Sequence, residues 1–329
     1  MTSANKTSLS RVARSLLVLS LVLGLFSAEA AAGRKMKVEE GMKSVNGTQL
    51  YYKIVGEGTP IVILHGGPGL DHTYFLPQMT ELARHYRLIF FDQRASGKSL
   101  SSVDTSTMTM NMFVEDVEGI RKAFKLKKMN LMGHSWGGLV ALCYAVKYPD
   151  NLGTLMLANS TPGSSALRNA SFAVMGRRQL PEDSIAQAAL VQTEGFRNRS
   201  AATMSQFFRI VFRSSFYDRR YADSLTLMLD TSYSTKSRVM QYLNRDTTLL
   251  NYDLFRSLST VHCPTLILGS TYDMVTPEAN ERLRQSIAGA KLVVLDSCGH
   301  FPFVEASGRF VDAIEGFLKN DARNSVRGK

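Results

Sequence analysis

Cysteine, proline and tryptophan are all scarce in this chain of 329 residues, which has three, nine and one of them. Cys143, Cys263 and Cys298 cannot all pair within one chain, and none has metal-ligand spacing, so neither a disulfide framework nor a zinc site organises the fold. With few prolines and 44% apolar residues the chain is not disordered, and it is long enough to bury a substantial core. Lysine and arginine nowhere form a run interleaved with aromatics, so the net charge of +11 reads as a solvated basic surface rather than a nucleic-acid site. Internal repeats are absent as well. The apolar run at 15–28 is shorter than the roughly 20 residues that cross a bilayer.

That run has a different meaning. Lys6, Arg11 and Arg14 precede it and the small residues of "AEAAAG" follow, the charged, apolar and cleavable parts of a secretory signal peptide. Cleavage near Ala30 is expected, giving a secreted or periplasmic protein of net charge +9 with no stable membrane span. Cys143 lies in an apolar helical stretch and reads as a core thiol. Cys263 and Cys298 each flank a strand, and one disulfide between them is compatible with an oxidising compartment. Asn46, Asn169 and Asn198 match the glycosylation pattern, which matters only in a eukaryotic host.

Beyond the leader, two alternating segments surround Asn46-Gly47, the strongest short signal for a tight hairpin. Apolar runs then recur at 61–64, 86–92, 129–133, 154–159, 264–269 and 291–296, separated by helical stretches. Such runs predict a mostly parallel sheet covered on both faces, an α/β fold opened by an antiparallel hairpin. The rhythm breaks between Ser160 and Leu258, where "SIAQAALVQTEGF" and "MSQFFRIVF" have helical spacing. The expected organisation is a core at 31–159 and 259–329 and an inserted helical cap at 160–258. The cap carries thirteen basic residues against eight acids.

The strand at 129–133 runs into Gly133-His134-Ser135-Trp136-Gly137, and a helix follows until Pro149. In a strand-to-helix turn, G-x-S-x-G exposes its serine at a strained position, which makes Ser135 a candidate nucleophile. The helix that begins there aims unpaired N–H groups toward a developing oxyanion, with Trp136 the first donor. A second should come from the turn after the strand at 61–64, "HGGPG", where Gly67 is the choice and Gly66 the alternative. A serine needs a base, and the base needs a group that holds its tautomer. Of the two histidines after Ser135, His262 precedes a strand, while His300 follows one and sits where strands finish. Asp273 follows the preceding strand in the same way and is preferred as the acid to Asp296, which lies at a strand terminus. His65 is expected to brace its own loop, His134 to fill a variable position, and His72 and His85 to lie on the surface.

With these residues in place the chain resembles the α/β-hydrolase superfamily and, more narrowly, the proline iminopeptidase group of serine peptidases. The matching stretches are "HGGPG" at 65–69, "DQRASGKS" at 92–99, "GHSWGG" at 133–138, "YDMVTP" at 272–277 and "GHFPFVE" at 299–305. The resemblance implies an α/β-hydrolase fold with an inserted helical cap and a Ser135-His300-Asp273 triad acting through an acyl-enzyme. It needs no metal or organic cofactor, and its partner is a small-molecule or short-peptide substrate. Asp92, Gln93 and Arg94 would shape the site. Release of an N-terminal residue requires acids that neutralise the substrate ammonium, with Glu194 and Glu182 the first candidates and Asp183, Asp218 and Asp223 behind them. The basic cap, whose acids fit no recognisable motif, keeps carboxylesterase or lactonase action open. Non-catalytic ligand binding on the same fold is the reading from another class, although such proteins often lack the triad. The oligomeric state is not legible.

Overall fold

The computed structural model describes residues 36–99, 104–229 and 239–327, so the stretch expected to be a leader lies outside the described residues. Strands β1 (Val38–Val45) and β2 (Thr48–Val55) form the expected hairpin. Asn46 and Gly47 between them have φ of 44° and 76°, the pair of positive angles that a two-residue type I′ turn demands.

Six further strands follow: β3 (Thr59–Leu64), β4 (Tyr86–Phe91), β5 (Met129–His134), β6 (Leu152–Ala158), β7 (Thr265–Ser270) and β8 (Lys291–Leu295). The eight form one sheet in the order β1-β2-β4-β3-β5-β6-β7-β8, with β2 antiparallel to both neighbours and every pairing from β4 to β8 parallel. In β3 to β7 the apolar runs are continuous because both faces are covered: Ile61, Val62, Ile63 and Leu64 are all buried, whereas the edge strand β8 buries only Leu295. On one face lie helices α1 (Met110–Ala123) and α2 (Trp136–Lys147). The side chain of Thr109 caps α1, whose Phe113, Val114, Val117 and Ile120 recur at helical spacing and are buried. Helix α2 is apolar nearly all round, as a helix packed into the core must be.

After β3 the chain pairs β4 on one side and then crosses to β5 on the other, so the C-terminal ends of β3 and β5 flank a reversal of strand order. Such a crevice is where open α/β sheets hold ligands. Between β6 and β7 the described residues contain no strand but five α-helices: α3 (Ser165–Arg177), α4 (Pro181–Val191), α5 (Glu194–Arg197), α6 (Ala201–Arg213) and α7 (Val239–Leu243), with short 3-10 turns among them. This segment leaves and returns through a paired neck, where Leu254 N–H donates to the Gly163 carbonyl and Ser165 N–H to that of Tyr252. Helices α8 (Pro277–Ser286), α9 (Pro302–Glu305) and α10 (Ser307–Arg327) complete the chain.

The three thiols are free. Cys263 lies before β7 and Cys298 after the parallel β8, at opposite ends of neighbouring strands, which is why the disulfide considered between them does not form. Cys143 packs against the core, and burial pushes its thiol up to about 12. No helix among the described residues is long and apolar enough to cross a membrane.

Candidate active site

Ser135 stands between β5 and α2 at φ 53° and ψ −121°, a conformation few non-glycine residues adopt. The glycines around it permit close passage of backbone: a Cβ on Gly133 would meet the Gly137 carbonyl oxygen at 2.3 Å, and one on Gly137 the Leu64 oxygen at 2.4 Å. The sharp turn thus delivers the hydroxyl to the crevice.

His300 Nε2 lies 2.9 Å from Ser135 Oγ, and His300 Nδ1 lies 2.8 Å from Asp273 Oδ1. The carboxylate only accepts, so Nδ1 carries the proton and leaves Nε2 free to accept from the serine hydroxyl. Asp273 is fully buried. Burial alone would raise its carboxyl, but the charge and hydrogen bond of His300, with the Asn159 amide and the Val275 N–H, hold it below the ordinary value. Asn159 donates to Asp273 Oδ2 at 2.8 Å and also reaches the Gly299 carbonyl, joining the loops after β6, β7 and β8. Sequence reasoning passed over Asn159, whose one signal was a polar residue ending an apolar strand.

Gly66 and Gly67 are separated by their partners. Gly66 N–H donates to the Tyr74 hydroxyl. The N–H groups of Gly67 and Trp136 have no protein acceptor among the described residues. Gly67 has φ of 49°, and a Cβ there would meet Leu70 Cδ1 at 2.6 Å. Trp136 is held from its far end, where the indole N–H donates to Gln93 Oε1 at 2.9 Å. Gln93 in turn donates to the His65 carbonyl, and its own N–H is accepted by His65 Nε2. His65 therefore braces its loop. Burial pushes its imidazole down to about 4.

Two histidines depart from expectation. His134 is no variable filler: its Nδ1 lies 2.8 Å from the Tyr74 hydroxyl and its Nε2 2.8 Å from the His300 carbonyl. A carbonyl can only accept, so Nε2 carries the proton and the Tyr74 hydroxyl donates to Nδ1. The relay from Gly66 through Tyr74 and His134 to His300 ties the turn after β3 to the loop after β8. Burial, then the neighbouring His300, pushes His134 down to about 3. His72 is buried rather than superficial, its Nδ1 2.7 Å from Asp92 Oδ1. His85 is exposed beside Glu315, and His262 is exposed beside Asp150 before β7. Asp296 is engaged with Thr271 and Ser297 at the surface.

The stretch "DQRASGKS" is a buried scaffold. Asp92 accepts from the backbone N–H groups of His72 and Lys98, and Arg94 makes a two-pronged pair with Asp116. Another seam joins the helical segment to the His300 loop. His300 N–H donates to the Ser215 carbonyl at 2.7 Å, while Glu305 accepts from Gly299 N–H and Asp218 N–H.

Ser135, His300, Gly66, Gly67 and Trp136 border one cavity of about 630 Å³, to whose remaining wall α3 and α6 contribute most. None of the described residues lining it is a carboxylate. The expected ammonium-binding acids lie elsewhere. Glu182 and Glu194 are solvent-exposed, each in the first turn of its helix, where a negative side chain suits the helix dipole. Asp183 is buried but neutralised by Arg213 and Arg219, Asp218 pairs with Arg220, and Asp223 is exposed.

A family model described as alpha/beta hydrolase fold matches residues 59–307, most of the chain, and the chain belongs to that family. A proline iminopeptidase from Lactobacillus crispatus is 30% identical over 302 residues, covering 86% of this chain and 99% of its own length. Within the family the chain groups with the proline iminopeptidases. The solved structure of proline iminopeptidase from Mycobacterium smegmatis superposes with a TM-score of 0.65 at 19% identity, covering 87% of this chain and 100% of that one. The enol-lactonase from Burkholderia xenovorans LB400 does so with 0.58 at 23% identity, covering 85% and 100%. These two likenesses are of fold.

Proposed function

We propose that the protein is a serine hydrolase that cleaves a carboxylic ester through an acyl-enzyme. The observation carrying this reading is the buried chain of hydrogen bonds from Asp273 through His300 to Ser135, which lines one cavity together with Gly67 and Trp136, the residues of the two unpartnered N–H groups. Ser135 Oγ attacks the carbonyl carbon as His300 Nε2 takes its proton, and the Gly67 and Trp136 N–H groups receive the oxyanion. Collapse breaks the bond to the leaving group, which departs with the proton from His300. Water, deprotonated by the same Nε2, then releases the acid. Asp273 stays ionised and holds the imidazole. A fluorophosphonate probe should label the wild type and spare Ser135→Ala, whose turnover should drop by at least about 10⁴; equal labelling of the two would overturn the assignment.

The choice of an ester rests on the cavity wall, which offers an amine terminus no carboxylate among the described residues. Removal of an N-terminal residue is the second reading, favoured by the Lactobacillus crispatus relative. Proline and alanine arylamides assayed beside short aryl esters separate the two, since fast arylamide turnover with slow ester cleavage would reverse the order. We read 160–258 as a cap over the site and 1–30 as a cleaved leader. Amino-terminal sequencing of the exported protein should begin near Ala31, and a retained Met1 would refute the leader.

A further inference from the structure

We propose that the cavity over Ser135 accepts an unbranched, uncharged alkyl chain of about eight to ten carbons, carried by the acid or the alcohol half of an ester. This substrate class rests on the serine hydrolase reading. Its support is a continuous file of aromatic rings leading away from His300. Phe301 lies 5.3 Å from the His300 ring, Phe212 5.2 Å from Phe301, Phe208 6.0 Å from Phe212, Phe207 6.0 Å from Phe208 and Phe196 5.1 Å from Phe207. All five phenylalanines border the cavity.

The file follows one face of α6. Met204, Phe207, Phe208, Val211 and Phe212 recur at the three- and four-residue spacing of a helix stripe and line the cavity, whereas Ile210, which does not, is buried. From Met204 to Phe212 the stripe is about 12 Å long, the reach of an extended chain of about ten carbons. An amphipathic helix ordinarily buries its apolar stripe against protein; here Phe207, Phe208, Val211 and Phe212 remain only half buried, and Phe172 of α3 is 50% exposed. An alkyl chain laid along the file would remove that surface from water, with each methylene contributing about 0.8 kcal/mol, or about fourfold in affinity.

Charge on the wall points the same way. The charged side chains lining the cavity among the described residues are Arg168 and Arg199. Arg168 is anchored on the Leu249 carbonyl and over the Tyr252 ring. At Arg168 a substrate ammonium would meet like charge, while an uncharged chain avoids the conflict.

Two series of esters test the proposal on the purified full-length protein: p-nitrophenyl esters from acetate to dodecanoate, and alkyl acetates of matching length. The expected result is a kcat/KM rising about three- to fourfold per added methylene toward eight to ten carbons in one series, which also tells which half carries the chain. Val211→Trp, with folding checked by its melting curve, should move that optimum to shorter chains. Acetate turnover with a flat or falling profile in both series would overturn the proposal while leaving the serine hydrolase intact. Equal probe labelling of wild type and Ser135→Ala would instead remove the hydrolase reading. The pocket is read independently of chemistry by thermal shift of Ser135→Ala: decanol should stabilise it more than butanol at equal concentration, and equal shifts would refute the alkyl site.

Discussion

Along the C-terminal edge of the sheet, the end of β5 and the loops after β3, β7 and β8 carry buried polar side chains with assigned partners: His65 with Gln93, His134 with Tyr74, Asp273 with His300. The helices between β6 and β7 present the opposite character to the same cavity, a half-exposed aromatic face with few polar contacts. Directional bonds hold the edge to the small tolerances that bond-making requires, whereas apolar contact on the helices tolerates variation in what it touches. On the proposed reading, chemistry and substrate choice reside on different elements.

Substitutions should divide along that line. The largest effect is expected from Asp273→Asn, which loses the carboxylate that fixes the His300 tautomer; ester kcat should drop by roughly 10³ to 10⁴ with little change in KM. An unchanged kcat would place the organising acid elsewhere. Next, Gly67→Ala puts a methyl group at positive φ against Leu70 and displaces one of the two unpartnered N–H groups. Its kcat should fall about 10² to 10³, and a fall in Tm alone, without loss of kcat, would deny the loop its part in the reaction.

The edge also stores an electrostatic cost. Burial, reinforced by Asp92, pushes the Asp71 carboxyl up to about 6, so its ionisation is easier in the unfolded chain. A folded acid with a raised pKa weakens stability above that pKa, and the penalty fades as pH falls through about 6 toward the ordinary carboxylate range. Asp71→Asn should therefore raise Tm at pH 8, by about 2–4 °C for each kcal/mol relieved, and leave it nearly unchanged at pH 4. A gain that is the same at both pH values would point to packing instead. The smallest effect should come from the double variant Glu182→Gln, Glu194→Gln, whose ester and arylamide kinetics should stay within about twofold, as for exposed side chains far from chemistry. A selective collapse of arylamide turnover would restore these acids to substrate binding.

The pattern of what was legible follows the same division. Strands β3 to β8 could be read because each is a short apolar run set off from the helical stretches around it, and Asn46-Gly47 encodes its own turn. That Ser135, Asp273 and His300 lie at one edge was readable because each follows a strand of a parallel sheet. His72 and His134 were misread since their partners, Asp92 and Tyr74, stand 20 and 60 residues away and nothing local marks the pairing. Asp183 shows the same limit in the helical segment: named as an acid that could bind the substrate ammonium, it is buried between Arg213 and Arg219, which nothing local marks. Helical periodicity announced an apolar face on α6, yet whether protein or ligand covers such a face depends on tertiary placement.

The seam at Ser215, Asp218 and Glu305 bears on how this scaffold can be re-engineered. Transplanting the whole insertion from a relative through its paired neck would leave both splice points intact, yet it would also replace the carbonyl that receives the His300 N–H. A chimera that keeps residues 214–218 with the recipient should inherit a new selectivity at near-native turnover, whereas one that exchanges them should lose speed toward every substrate alike. The useful boundary for recombination is therefore a five-residue island inside the insertion, invisible to any division made by chain connectivity.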